Sequence, residues 1–78
     1  MEMNFNPMQA AIEAVERDDG RFPGRRSDLA RRLGVSHTAV SKWVKEGRPP
    51  VGRVLEIERA TEGRVNRHVL RPDIFGPS

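Results

Sequence analysis

Residues 26–45 read RSDLARRLGVSHTAVSKWVK, and their reading decides the fold. Leu29, Ala30 and Leu33 recur at helical spacing and predict a short helix from about Ser27 to Leu33, begun by Arg26 or Ser27. Gly34 follows where a helix end needs a left-handed backbone, which a Cβ penalises. Ser36 then offers a cap for a helix over about 37–46, with Ala39, Val40, Trp43 and Val44 apolar and Gly47 as its stop. Two short helices thus meet at a tight turn. Ala30 must be small because the second helix crosses close to it, and Leu29, Leu33, Val35, Val40 and Trp43 fill the space between. His37, Thr38, Ser41, Lys42 and Lys45 remain on the outer face of the second helix.

The flanks extend this pattern in both directions. Asn6 can cap a first helix and Pro7 suits its first position. Met8, Ala11, Ile12 and Val15 form its apolar face, and Asp18, Asp19 and Gly20 are expected to end it. Residues 20–26 form a loop whose Phe22 is expected to pack down on the core. After the central motif, Pro49 and Pro50 open a fourth helix over about 50–61, closed by Gly63. Asn66 caps a last short helix over about 67–71, and Ile74 and Phe75 belong to a tail expected to dock. Residues 62–65 are the one place where a turn between short strands could hide. On a helical wheel Val51, Val54, Leu55 and Ile57 span an arc of about 160°, with Glu58 inside it. A carboxylate there is expected to pair with an arginine or with backbone N–H groups of the motif, tying helix four to it; the alternative is a solvated rim position.

The 78 residues correspond to one domain with a core worth only about 3–5 kcal/mol of net stability. There is no cysteine, which excludes disulfides, Cys-rich zinc sites and thiol nucleophiles, and two histidines make a poor metal site. No stretch is long and apolar enough to cross a membrane, and Met1–Asn4 lacks the start of a signal peptide, so a bacterial cytoplasmic location is expected. Charge is unevenly placed. Residues 1–20 carry five acids against one basic residue, a balance of −4; residues 21–48 carry eight basic residues against two acids, +6; residues 49–78 carry five arginines against four acids, +1. A basic middle third is the electrostatic footprint of a nucleic-acid-binding element, and the polar outer face is what a helix entering the major groove requires.

The spacing of Ala30, Gly34 and the apolar positions resembles the helix-turn-helix of the Cro and lambda-type repressor family. Ala39-Val40-Ser41-Lys42, followed by Gly47-Arg48, looks like the Cro recognition helix and its exit. Ile57–Gly63 and Leu70–Phe75 are similar to the Cro-like, YdaS-type antitoxin or regulator proteins of prophages. The resemblance covers about residues 27–75; the loop at 20–26 looks longer than in typical members. It implies an all-α, lambda repressor-like domain of four to five short helices. The C-terminal part of such proteins is helical or a β-hairpin, and the apolar spacing here favours helix.

Carried over by position, the resemblance makes His37, Thr38, Ser41 and Lys42 base-contacting residues, with Lys42 reaching toward guanine. Ser27, Ser36, Lys45 and Arg48 become contacts to the DNA backbone. Arg31 and Arg32, on the outer side of helix two, are expected to be solvated or near phosphates. Leu55, Val69, Ile74 and Phe75, with Val54 or Ile57, are candidates for a dimer interface that would set two reading helices about 34 Å apart. The implied function is a sequence-specific double-stranded DNA-binding transcription regulator, a phage or prophage repressor dimer on a palindromic operator. No cofactor, metal, small-molecule substrate or catalytic set is implied. Two rivals stand beside it: an antitoxin acting by binding another protein, and a DNA-positioning adaptor with little sequence preference.

Overall fold

Asn6 starts the first helix as its position predicts. Its Oδ1 accepts the backbone N–H groups of Met8 and Gln9 at 3.0 and 3.2 Å, and Pro7 takes the first helical position. The computed structural model describes residues 5–76. It places α1 at Pro7–Glu13, α2 at Arg26–Leu33, α3 at His37–Glu46, α4 at Val54–Ala60, α5 at Arg67–Leu70 and α6 at Pro72–Phe75. A 3-10 turn, Val51–Arg53, leads into α4. The described residues contain no strand, so the fold is all-α, with α1 to α4 as its longer helices. Met1–Asn4, whose composition bore on a signal peptide, lie outside the described residues.

One apolar cluster holds these helices together. Met8, Ala11, Ile12 and Val15 meet Leu29 and Ala30 of α2, Val40 and Trp43 of α3, Val54 and Ile57 of α4, and Val65 and Leu70. Removal of these side chains from water is the main favourable term in the fold. Trp43 is core, as its spacing predicts.

Four expectations change. First, α1 stops at Glu13, well before Asp18. The Glu13 carbonyl accepts the Gly24 N–H at 3.4 Å, while Arg64 Nη1 takes the Ala14 carbonyl at 3.3 Å and Arg32 Nη2 takes that of Glu16 at 3.2 Å. Donors distant in sequence thus occupy the carbonyls that a longer helix would have used. Second, Phe22 is 47% exposed and lies outside the core; the Arg64 guanidinium sits 4.9 Å above its ring, a cation–π contact at the surface.

Third, helix four begins later than Pro50. The buried Pro49 gives its carbonyl to Arg71 Nη1 at 3.0 Å, and the Pro50 carbonyl accepts Arg53 N–H at 3.0 Å, an i→i+3 bond that makes the first turn 3-10. Fourth, Val54 and Ile57 are fully buried in the subunit's own core, which leaves them no accessible surface to offer a second chain. Residues 62–65 form a turn, not a hairpin. The buried Thr61 hydroxyl accepts the Val65 N–H at 3.3 Å, and its oxygen lies 3.1 and 3.2 Å from the Glu58 and Val65 carbonyls. Asn66 caps α5 by accepting the Val69 N–H at 3.1 Å.

Candidate nucleic-acid interface

The geometry of the α2–α3 junction comes from a few local bonds. Gly34 adopts φ +69°, and the next N–H, of Val35, reaches back to the Ala30 carbonyl at 3.0 Å. Ser36 Oγ accepts the Ala39 N–H at 3.1 Å and so starts α3. At the far end of α3, Asn6 Nδ2 donates to the Val44 carbonyl at 3.0 Å. The side chain that caps α1 therefore also fixes the end of α3. With Val40 and Trp43 in the core, the opposite face of α3 is fixed toward solvent.

His37, Thr38, Lys42 and Lys45 are exposed on that face and Ser41 is half-buried. Ser27, Ser36 and Arg48 are exposed at its margins. The base-contact candidates thus share the outer face of α3, and the backbone-contact candidates are exposed on α3, at its cap, at its exit and at the start of α2. Lys42 and Lys45 form no ion pair among the described residues. Arg26 joins them, which the sequence reading missed. Its Nη1 donates to Ser41 Oγ at 3.2 Å, bridging the start of α2 to the middle of α3. The basic pair Arg25-Arg26 just before Ser27 was the available signal. No group of three or more metal-ligating side chains gathers among the described residues.

Asp28 was also missed, and it is a buried carboxylate, only 1% exposed. It accepts the Arg25 N–H at 2.7 Å, Arg31 Nη2 at 3.3 Å and Arg25 Nε at 3.4 Å. Burial alone would push its carboxyl up; the Arg25 N–H bond and then the Arg31 and Arg25 guanidinium groups more than offset this and hold it below its ordinary value. Asp28 is therefore a charged strut inside the start of α2, and its charge is turned away from the outer face. Arg31 is occupied as well, 2.7 Å from Asp18, and Arg32 holds the Glu16 carbonyl, so both are tied to the segment after α1.

Glu58 pairs with an arginine, as one of its two readings proposed, but not with the motif. Glu58 Oε1 accepts both the backbone N–H and Nε of Arg67 at 3.1 and 3.3 Å, and Oε2 accepts Arg67 Nη2 at 3.0 Å. These bonds, side chain first, hold the Glu58 carboxyl below its ordinary value. They join α4 to α5. Beyond α3, Arg48 Nη1 lies 3.4 Å from Asp73 Oδ2. Arg71 grips the same carboxylate at 2.8 and 3.0 Å and holds Asp73 down at about 2. Of the dimer candidates, Leu55 and Ile74 are 42% and 49% exposed, while Val69 and Phe75 pack partly against the subunit's own core.

This arrangement has clear counterparts. The chain is 40% identical to the solved "Cro protein from putative prophage element Xfaso 1" of Xylella fastidiosa strain Ann-1, with a TM-score of 0.79 over 92% of this chain and 98% of that one. It is 50% identical over 52 residues to "Putative transcriptional regulator YdaS" of Escherichia coli (strain K12). That match takes in 65% of this chain and 53% of that protein, so the chain spans about half of its length. A family model described as bacterial toxin YdaS matches residues 19–78, from the loop before α2 through the C-terminal helices. The chain belongs to the YdaS family.

Proposed function

We propose that this chain is a sequence-specific regulator of transcription that binds palindromic operator DNA as a dimer and represses by occupying it. The observation that carries the reading is the outer face of α3. Its polar side chains face solvent, with Ser41 half-buried beside Arg26, while the opposite face is packed into the core, and the cations around them suit the phosphates that flank a major groove. His37, Thr38, Ser41 and Lys42 read base edges in this proposal; Ser27, Ser36, Lys45 and Arg48, joined by Arg26, hold the backbone. The chain acts in the bacterial cytoplasm and performs no catalysis. The names of its relatives, a transcriptional regulator and a Cro protein, support the same reading.

Exposed Leu55 and Ile74 support the dimer, since one small motif gives little affinity on its own. Selection from random duplex DNA at physiological salt tests the proposal. The expected result is an enriched palindrome with half-sites about one helical turn, or about 34 Å, apart. Binding without enrichment would replace it with the adaptor reading. Absence of binding would shift the function to a protein partner.

A further inference from the structure

Beside the last turn of α3 lies an open hollow of about 310 Å³, lined by Lys42, Arg48 and Arg71 together with Glu46, Trp43 and Pro49. Glu46 offsets one of the three cations, and Arg48, the candidate for backbone contact, is the one placed to receive a phosphate. Two of the cations already share an anion. Asp73, on α6, takes Arg71 through both of its carboxylate oxygens and Arg48 through one.

The two arginines are held unequally. Arg71 makes short contacts to Asp73, donates to the Pro49 carbonyl at 3.0 Å, and its side chain is 15% exposed. Arg48 is 58% exposed, and its 3.4 Å contact lies at the weak end of the hydrogen-bond range. Arg71 therefore keeps Asp73 in place while Arg48 can leave. A phosphate arriving at Arg48 meets a guanidinium that has to exchange one anion for another, beside a carboxylate that cannot withdraw.

We propose, on the DNA-binding reading above, that Asp73 stands in for a DNA phosphate on Arg48 in the unbound protein and so limits how tightly the chain holds duplex DNA. The acid weakens phosphate contact, which is blind to sequence, and leaves base contacts alone. It therefore trims non-specific binding and raises the share of affinity that depends on base sequence.

The test measures binding of a labelled mixed-sequence duplex between about 50 and 200 mM salt. It compares the parent, Asp73→Asn, Asp73→Ser, Arg48→Ala and the double variant Asp73→Asn with Arg48→Ala. Release of Arg48 from an exposed ion pair of this kind predicts tightening of about two- to fivefold per subunit on loss of the acid. The salt slope should steepen by up to about 0.9 per subunit. Both Asp73 variants should show the gain, and it should vanish in the Arg48→Ala background. The Asn and Ser variants each keep a polar residue at the start of α6, and a circular-dichroism melt checks that they fold. If the parent binds and neither Asp73 variant tightens, the stand-in is refuted and the DNA reading survives. An equal gain without Arg48 also refutes it, since the effect would then be general charge. A parent that binds no duplex overturns the DNA-binding reading itself, and this proposal with it.

Discussion

Replacing Asp28 with alanine removes the charged strut inside α2, and the structure sets the size of the effect. Its carboxylate is 1% exposed and accepts the Arg25 N–H at 2.7 Å. A hydrogen bond to a charged group contributes about 1.5–3 kcal/mol. The two guanidinium contacts, at 3.3 and 3.4 Å, come from side chains 50% and 64% exposed, so each adds only a few tenths. A loss of about 2 kcal/mol follows, and at about 4–8 °C per kcal/mol for a domain of this size, Tm should fall by about 8–16 °C at neutral pH. Thermal melts by circular dichroism read it directly.

The same strut predicts a pH profile. Asp28 has its carboxyl held below the ordinary 3.8 in the folded chain. A carboxylate of that kind stabilises the fold fully above its unfolded value, and the contribution is lost as pH falls through the folded value. The Tm gap between parent and Asp28→Ala should be constant down to about pH 5 and narrow below about pH 4. A variant melting within about 2 °C of the parent at pH 7, or a gap undiminished in acid, would refute the strut.

The remaining predictions concern reading, joining and packing. Lys42→Ala should relax the preference at one base pair of each half-site, whereas Arg48→Ala should weaken all sequences alike and flatten the salt slope by about 0.9 per subunit; operator and mixed-sequence titrations distinguish the two. Glu58→Gln should lower Tm, with the difference fading as pH falls through the depressed Glu58 value, yet leave operator affinity of the folded protein unchanged, because Glu58 joins α4 to α5. Gly24→Ala should cost about 3 kcal/mol in a denaturant titration. A Cβ there would lie 2.3 Å from the Val15 carbonyl oxygen and 2.5 Å from that of Ile12, backbone atoms with no room to retreat.

The parts legible in the sequence are those governed by neighbours in the chain. Asn6, Ser36 and Asn66 cap helices because a short polar side chain needs only the next three residues. Gly34 and Gly47 end helices at φ +69° and +82° for an equally local reason. The Val40 and Trp43 spacing set which face of α3 turns outward, and the candidate site follows from that face. The misreadings involve partners far along the chain. The end of α1 depends on Gly24, Arg32 and Arg64, and the surface position of Phe22 depends on Arg64. Asp28 is the exception: its partners Arg25 and Arg31 lie three residues away, and what the chain alone does not show is that the carboxylate is buried.

Such pairings, local and distant, also change what the charge count means. Eight basic residues between 21 and 48 imply a broad positive field. Folded, Arg25 and Arg31 face Asp28, Arg31 also faces Asp18, and Arg32 is held by the Glu16 carbonyl. The acidic segment after α1 therefore folds back on the outer side of α2, where Asp18 and the Glu16 carbonyl occupy Arg31 and Arg32. Of the other five, Arg21 lies on the loop before α2, and Arg26, Lys42, Lys45 and Arg48 lie on or beside α3, Arg48 already sharing Asp73. The three cations assigned to the DNA backbone in the proposed function, Arg26, Lys45 and Arg48, would give a salt slope of about −2.7 for one subunit. So few backbone contacts give one subunit a weak sequence-blind grip. On the proposed function, tight binding would then come from base edges at α3 and from a second subunit on the same duplex, for which the exposed Leu55 and Ile74 offer apolar surface.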